Sequence, residues 1–447
     1  IDDKTAIYLD TKNIYEYSIA DSSNMILNTK SKSDSYYIKL DAKDNKIIAI
    51  DNKQFMEIHN IDKLKKVNII NVLVTDKDWG INKQWIANEL KDKYGKVNIK
   101  VKAYNKSEYQ SKILLKFMAN DNDFDIFEID RSSDYQIIKK NRYENLLKYP
   151  SINGIFNEII PEIKKLCSYD NEIIGIPNNI SFYIWELNTA LRDELGIKIP
   201  KDSWNWDSFY KLAKEVRQIC KERGDIDAYI LRSESNALLF FTIFEDYSAQ
   251  YIDIAKGKIS YNTKEMKNLL KLWKKLYREK LVLEESIIFE PFKDSILFYQ
   301  NVFNGIGDCE EYIMPPYNVA PTYVNLYCIN KESENKDISA DFLAAFLSPN
   351  TRKKNNISLL PFYKSYSVYE DYENNQSATR QGHKFYLENI KNSRIRQDIS
   401  SIEVNGSAFG DSSENLGQSF IDFFNNEITI DELLSKVDKK IDLIVNE

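Results

Sequence analysis

Val67-Asn-Ile-Ile-Asn-Val-Leu-Val74, Val97-Asn-Ile-Lys-Val-Lys-Ala103 and Phe124-Asp-Ile-Phe-Glu-Ile129 are short runs rich in β-branched and aromatic residues, and the two intervals between them have helical period. In the first interval, Asn82 to Tyr94, the residues Trp85, Ile86, Leu90 and Tyr94 fall on one face. In the second, Ser107 and Gln110 have capping-box spacing, with Tyr109, Ile113, Leu114 and Phe117 as the stripe behind them. Strand, helix, strand, helix, strand in this order predicts a parallel, doubly wound sheet. The chain continues in the same manner. Asp207 to Lys221 places Phe209, Leu212, Val216 and Ile219 inward and stops at Gly224; Asn262 and Glu265 cap a helix carrying Met266, Leu269, Leu270, Trp273, Leu276 and Tyr277. A helix from Lys336 ends before Pro349, and Thr429 with Glu432 opens a last one with Leu433, Leu434, Val437 and Ile441 inward. The body is therefore α/β.

Residues 1–65 have a different texture. Leu9-Asp-Thr-Lys, Leu40-Asp-Ala-Lys and Ile50-Asp-Asn-Lys each put an apolar-Asp-x-Lys turn before alternating apolar and polar residues. Period-2 alternation after a turn predicts antiparallel hairpins, and the repetition is like pieces of a β-propeller. The rest of the composition bounds the class. At 447 residues and 43% hydrophobic, the chain can build about three domains or two large lobes plus an extra. A net charge of -7, with lysines interleaved among acids as in Asp76-Lys77-Asp78, argues against a nucleic-acid partner. No apolar run of about 18 residues exists to span a membrane. The opening Ile1-Asp2-Asp3-Lys4 reads as a mature or trimmed product without a leader.

Catalytic signatures are scarce. His59 and His383 are isolated from each other and from any Cys, and neither a G-x-S-x-G elbow nor H-E-x-x-H occurs. Gly410-Asp-Ser-Ser-Glu-Asn-Leu-Gly417-Gln418 lacks the lysine of a phosphate loop. Asp121-Asn-Asp123-Phe-Asp125 begins like a calcium loop but continues with Ile126 where Gly is needed and Ser132 where Glu is needed. No metal, cofactor or catalytic residue is assigned. Among Cys167, Cys220, Cys309 and Cys328, a Cys309–Cys328 bridge and unpaired thiols stand as alternatives. Position is more telling than motif. Ligands of open α/β sheets sit outside the carboxyl ends of parallel strands. Those ends here are followed by Asp78-Trp79, Tyr104-Asn105 and Asp130-Arg131. An indole with carboxylates, an amide and a guanidinium suits a sugar, whose apolar face stacks while its hydroxyls take charge-assisted hydrogen bonds. The alternative is that Trp79 anchors its loop and Asp130 and Arg131 form a local ion pair.

The order of further segments resembles a family, the carbohydrate-type (family 1) extracellular solute-binding proteins of bacterial ABC importers. The segments are Phe124-Asp-Ile-Phe-Glu-Ile-Asp130, Asn171-Glu-Ile-Ile-Gly175-Ile-Pro177, Phe182-Tyr-Ile-Trp-Glu-Leu-Asn188, Leu195-Gly-Ile with Pro200 and Trp206-Asp-Ser-Phe-Tyr, Ala340-Asp-Phe-Leu-Ala-Ala-Phe-Leu-Ser-Pro349, and Leu360-Pro-Phe-Tyr-Lys-Ser365. The resemblance covers roughly 85% of the chain, from Val67 onward. It implies a type II periplasmic-binding-protein fold of two α/β lobes joined by hinge strands, with a small antiparallel β segment at 1–65. Lobe one would comprise 66–179 and 321–359, lobe two 180–320 and 360–447, with crossings near Ile180, Pro321 and Leu360. It also implies a monomeric, surface-tethered lipoprotein, without enzymatic activity, that clamps a carbohydrate between its lobes and delivers it to an ABC permease; the abundant Lys, Asn and Ile are compatible with a Gram-positive source.

Carried over by position, Tyr183, Trp185 and Phe362 join Asp78, Trp79, Asp130 and Arg131 as candidate ligand-binding residues, while Trp204, Trp206 and Trp273 read as structural. The stretch Asp308-Cys309-Glu310-Glu311-Tyr312 departs from the family, which often has Trp there. Its carboxylates and Tyr312 are kept as candidates, and they raise amino-sugars, cationic peptides or a metal ion as ligand variants. A surface sensor or protein-interaction module with a degenerate cleft is the rival reading. A glycan hydrolase, which would need paired carboxylates, ranks third.

Overall fold

The computed structural model describes strand backbone between 5 and 60 and, beyond it, residues 68–75, 83–131, 134–200, 204–233, 237–253, 257–284, 295–303, 311–316, 319–348, 351, 362–364, 377–395 and 416–446. The N-terminal segment holds six strands: β1 (Thr5–Leu9), β2 (Asn13–Ser18), β3 (Ser23–Thr29), β4 (Ser35–Asp41), β5 (Lys46–Asp51) and β6 (Met56–Asn60). They form two antiparallel three-stranded meanders, β1-β2-β3 and β4-β5-β6. Each repeated apolar-Asp segment lies where one strand hands over to the next, at β1/β2, β4/β5 and β5/β6.

The chain divides into two compact units, Ile1–Phe127 with Glu332–Asn355, and Glu128–Lys331 with Asn356–Glu447. In the first, β7 (Asn68–Val74) pairs in parallel with β8 (Val97–Ala103) on one side and with β9 (Ile126–Asp130) on the other. The order β8-β7-β9 is that of the expected doubly wound sheet. Helices Lys83–Tyr94 and Lys106–Met118 make the crossovers, burying Ile86 and Leu90 from one and Tyr109, Ile113 and Phe117 from the other. The second helix starts at Lys106 behind Asn105, so Ser107 lies within its first turn and is not the cap that the spacing suggested. The acidic run before β9 serves that helix. Lys116 Nζ pairs with Asp121 at 2.5 Å and Asp123 at 2.7 Å.

Asp125 holds the first unit's two chain segments together. Its Oδ2 accepts the Asn71 N–H at 2.8 Å, while Oδ1 accepts the Ser333 hydroxyl at 2.6 Å and the Asn335 amide at 3.1 Å. The returning helix Lys336–Leu347 then contributes Asp341, which takes Lys93 Nζ at 2.6 Å and the Tyr94 hydroxyl at 2.7 Å.

The second unit contains the two-stranded ribbon of β10 (Ser168–Tyr169) and β11 (Glu172–Ile173), followed by the long β12 (Ile176–Leu187). The remaining strands are β13 (Tyr229–Ser233), β14 (Leu283–Glu284), β15 (Ile296–Phe303), β16 (Tyr312–Ile313), β17 (Ala320–Ile329) and β18 (Ser393–Ile395). The order is β14-β13-β15-β12-β17, with β16 on β12 and β18 on β17. β12 runs antiparallel to β17 over Ile176–Phe182 and to β15 over Phe182–Leu187. Both β12 and β17 pass unbroken through Ile180 and Pro321, the positions expected for lobe crossings. The compact units exchange at 127/128, 331/332 and 355/356.

The second unit's core gathers Trp185, Phe209, Val216, Leu270, Trp273, Phe298 and Val437. Helix Trp206–Arg223 is closed by an Asn205–Ser208 capping box and by Gly224 at φ 74°, a left-handed position that suits glycine. The 264–278 helix is capped by Thr263, one residue after the expected Asn262, through a bond to Met266 N–H at 3.2 Å. The Thr429–Glu432 box forms as expected: the Thr429 N–H donates to the Glu432 carboxylate at 2.7 Å and the Glu432 N–H donates to the Thr429 hydroxyl oxygen at 3.2 Å.

Candidate functional site

Alternation along β12 and β17 sets one polar, aromatic face. With Asn179 opposite Asn325 and Ser181 opposite Tyr323, the residues Asn179, Ser181 and Tyr183 of β12 share a side with Tyr323 and Asn325 of β17. Asn179, Tyr183, Tyr323 and Asn325 are half-buried, while their neighbours Ile180, Phe182, Val324 and Leu326 are wholly buried. The two tyrosine rings meet edge to face, centroids 5.5 Å apart at 84°. Such a pair keeps one ring upright against the face of the other, the geometry its quadrupoles favour.

Helix Ala237–Tyr251 brings a carboxylate to this face. Glu245, 3% exposed, accepts the Tyr323 hydroxyl at 2.7 Å. The next residue, Asp246, is turned by one helical step to other partners and accepts the Trp206 indole N–H at 2.8 Å and the Gln250 amide at 2.6 Å. Adjacent acids thus have separate tasks, one beside the tyrosines and one in the core. At the β12 bulge between Pro177 and Asn179, the extra residue Asn178 donates to Glu128 Oε1 at 3.2 Å. A bulge of this kind re-aims a side chain next to a site. The face thus offers two rings, two amides and a carboxylate, which together can stack on a ring and accept or donate to hydroxyls.

The sequence-derived candidates divide sharply. Tyr183 lies on the face just described. Trp185, two residues further along the same strand, is 0% exposed and packs against Phe209 at 5.0 Å and Phe298 at 5.4 Å, with Trp204 at 6.3 Å. It is a core residue, because Trp204 and the Trp206–Arg223 helix cover the sheet there. Phe362 is likewise wholly buried, with its carbonyl accepting Ile160 N–H at 2.9 Å. Asp130 is half-buried at the end of β9, its N–H bonded to Asp134 Oδ2 at 2.7 Å. Arg131 is buried and has no ion pair among the described residues, so the local Asp130–Arg131 pair does not form.

Glu311 Oε2 pairs with Arg192 Nη1 at 2.7 Å, and Tyr312 packs its ring 5.7 Å from Phe385. Asp78, Trp79, Asp308, Cys309 and Glu310 lie outside the described residues; Cys328 is a buried free thiol. Trp204 and Trp206 are structural, as expected: Trp204 donates to the Met314 carbonyl at 2.8 Å.

Sequence reasoning missed Tyr323, Asn325 and Glu245. The first two had a signal, half-buried positions alternating with apolar ones in a strand. Glu245 had a stronger one, an acid inside the apolar helix Ala-Leu-Leu-Phe-Phe-Thr-Ile-Phe-Glu-Asp-Tyr, where an isolated charge needs a reason.

Comparison with known proteins places the chain. No helix among the described residues is long and apolar enough to cross a membrane. None of the curated proteins matches the sequence. Solved structures do match in fold. The cyclic α-maltosyl-1,6-maltose binding protein of Arthrobacter globiformis is 15% identical with a TM-score of 0.61, covering 85% of this chain and 99% of its own. The sugar-binding protein MalE of Xanthomonas citri is 13% identical with a TM-score of 0.61, covering 85% and 98%. An ABC substrate-binding protein of Listeria monocytogenes in complex with cycloalternan is 16% identical with a TM-score of 0.57, covering 86% and 100%. These likenesses bear out the two-lobed binding-protein fold that the sequence resemblance implied. The family model for bacterial extracellular solute-binding proteins matches residues 85–378, and the chain belongs to that family.

Proposed function

We propose that this protein captures a carbohydrate, an oligosaccharide or amino-sugar, and delivers it to an ABC permease. The observation that carries the reading is the Tyr183–Tyr323 pair with Glu245 behind it and Asn179 and Asn325 beside it. Sugar rings present an apolar face to an aromatic ring and a rim of hydroxyls to amides and carboxylates. The fold neighbours, whose names record cycloalternan, cyclic maltosyl-maltose and sugar as their ligands, support the same class. Asp78, Trp79 and Asp130, from their place at the strand ends, and Asp308 and Glu310, from the acidic stretch, complete the proposed set. The protein acts as a monomer held at the cell surface, and ligand favours whichever conformation makes more contacts with it.

Isothermal titration against α-glucans, cyclic glucans and amino-sugars tests this. One class should bind, and Tyr183→Ala should weaken it by about 1–3 kcal/mol through loss of ring area and face, with the unfolding midpoint little changed. A panel without heat or thermal shift from any sugar would reject the reading in favour of the protein-interaction module.

A further inference from the structure

Arg131 follows β9, and its backbone N–H donates to the Val324 carbonyl at 2.9 Å, so its start point is fixed on β17. The side chain reaches the β10–β11 ribbon. Nη2 donates to the Ser168 carbonyl at 3.2 Å, and the guanidinium carbon stands 5.9 Å from the Tyr169 ring centroid. The residue is 9% exposed. Nε and Nη1 are shut off from solvent and have no hydrogen-bond acceptor among the described residues.

The titratable groups acting on it most strongly are Cys167, Cys328, Tyr143 and Tyr169; the carboxylates of Asp134, Asp170 and Glu172 act on that same shell, through Cys328 and Tyr143, and none of them forms an ion pair with Arg131 among the described residues. Burial pushes both thiols and the Tyr143 phenol up, so these are neutral groups at physiological pH. Burial pulls Arg131 itself down, yet a guanidinium starts so high that it keeps its proton. A buried cation without an anion is strongly unfavourable. Thiol S–H, phenolic O–H and guanidinium N–H are all able to donate, the Ser168 carbonyl is taken by Nη2, and Nε and Nη1 reach no acceptor among the described residues. Unpaired donors on a fixed positive charge favour an acceptor that is negative and small.

We infer that Arg131 anchors a buried site for a small monovalent anion of chloride size, bound through Nε–H and Nη1–H. The inference is independent of the carbohydrate reading and gives Arg131 a different task from the sugar contact expected of it. The occupant is small because neither nitrogen opens to solvent, which excludes a sugar or a phosphate ester at these atoms.

The test is thermal unfolding of the whole protein in sodium chloride or sodium bromide against sodium gluconate at equal ionic strength. Chloride and bromide should raise the midpoint by about 2–6 °C and then saturate, as a ligand of the folded state does. Arg131→Met should abolish the difference between anions, and Arg131→Lys should shrink it. Should Arg131→Met fail to fold, crystals of the unaltered protein soaked in bromide give the second reading. An anomalous peak within hydrogen-bond distance of Nε or Nη1 supports the site. Midpoints indifferent to the anion, anion dependence unchanged in Arg131→Met, or bromide found on surface lysines as an adventitious ion only would each overturn it.

Discussion

Asp125 and Arg131 stand just before and just after the same strand, β9, one in each compact unit, and both are buried charges. Their surroundings are opposite. The carboxylate takes one backbone and two side-chain donors, from Asn71, Ser333 and Asn335. The guanidinium has one carbonyl and, among the described residues, two nitrogens with no acceptor. A buried ion whose hydrogen-bonding capacity is met by the chain is part of the scaffold. A buried ion left short by the chain points to something the chain was shaped to receive.

Three substitutions press on this contrast. Asp125→Ala should be the most harmful, lowering stability by about 3–4 kcal/mol in urea unfolding, since it strands three donors that had a charged acceptor. A loss below about 1 kcal/mol would mean that water replaces the carboxylate freely. Ser333→Ala removes one of those donors and should cost about 1–2 kcal/mol; its effect should shrink in an Asp125→Ala background, as measured by a double-mutant cycle. Arg131→Met in chloride-free buffer should change stability by less than about 1 kcal/mol or raise it, because an apolar side chain of similar length escapes the desolvation of an unpaired charge. A large loss there would place Arg131 with Asp125 as scaffold and remove the contrast.

The first unit was legible in the sequence because local pattern and tertiary role agree in it. Apolar runs became buried parallel strands, and the stripe of Tyr109, Ile113 and Phe117 became the buried side of its helix. The resemblance found from ordered short segments also held. What the sequence did not disclose was coverage. Tyr183 and Trp185 are aromatic, two residues apart and on the same side of β12, yet one is half-open and the other sealed. The difference lies in Trp204 and the 206–223 helix, which pack over Trp185 from a separate part of the chain. Arg131 is similar. Its charge was visible, but its burial comes from Ser168 and Tyr169, almost 40 residues later. Cap assignments slipped by a residue at Thr263 because Asn262 and Thr263 are both good caps, and only the hydrogen bond to Met266 chooses between them.

The clasp at Asp125 has a consequence for the order of events during synthesis. Its partners Ser333 and Asn335 lie 208 and 210 positions downstream, and the Lys93–Asp341 pair spans 248. At the usual pace of translation this separation is about 10–40 seconds of chain growth. Throughout that interval β7 to β9 exist without the segment that completes their unit. The whole of Glu128–Lys331 must be made first, and the second unit's returning piece, Asn356–Glu447, is made after the first unit's. Loop closure over such distances is slow compared with local pairing. The nested path of the chain therefore sets a clock: the first unit cannot finish folding until its returning segment Glu332–Asn355 has been made, and the second waits for Asn356–Glu447.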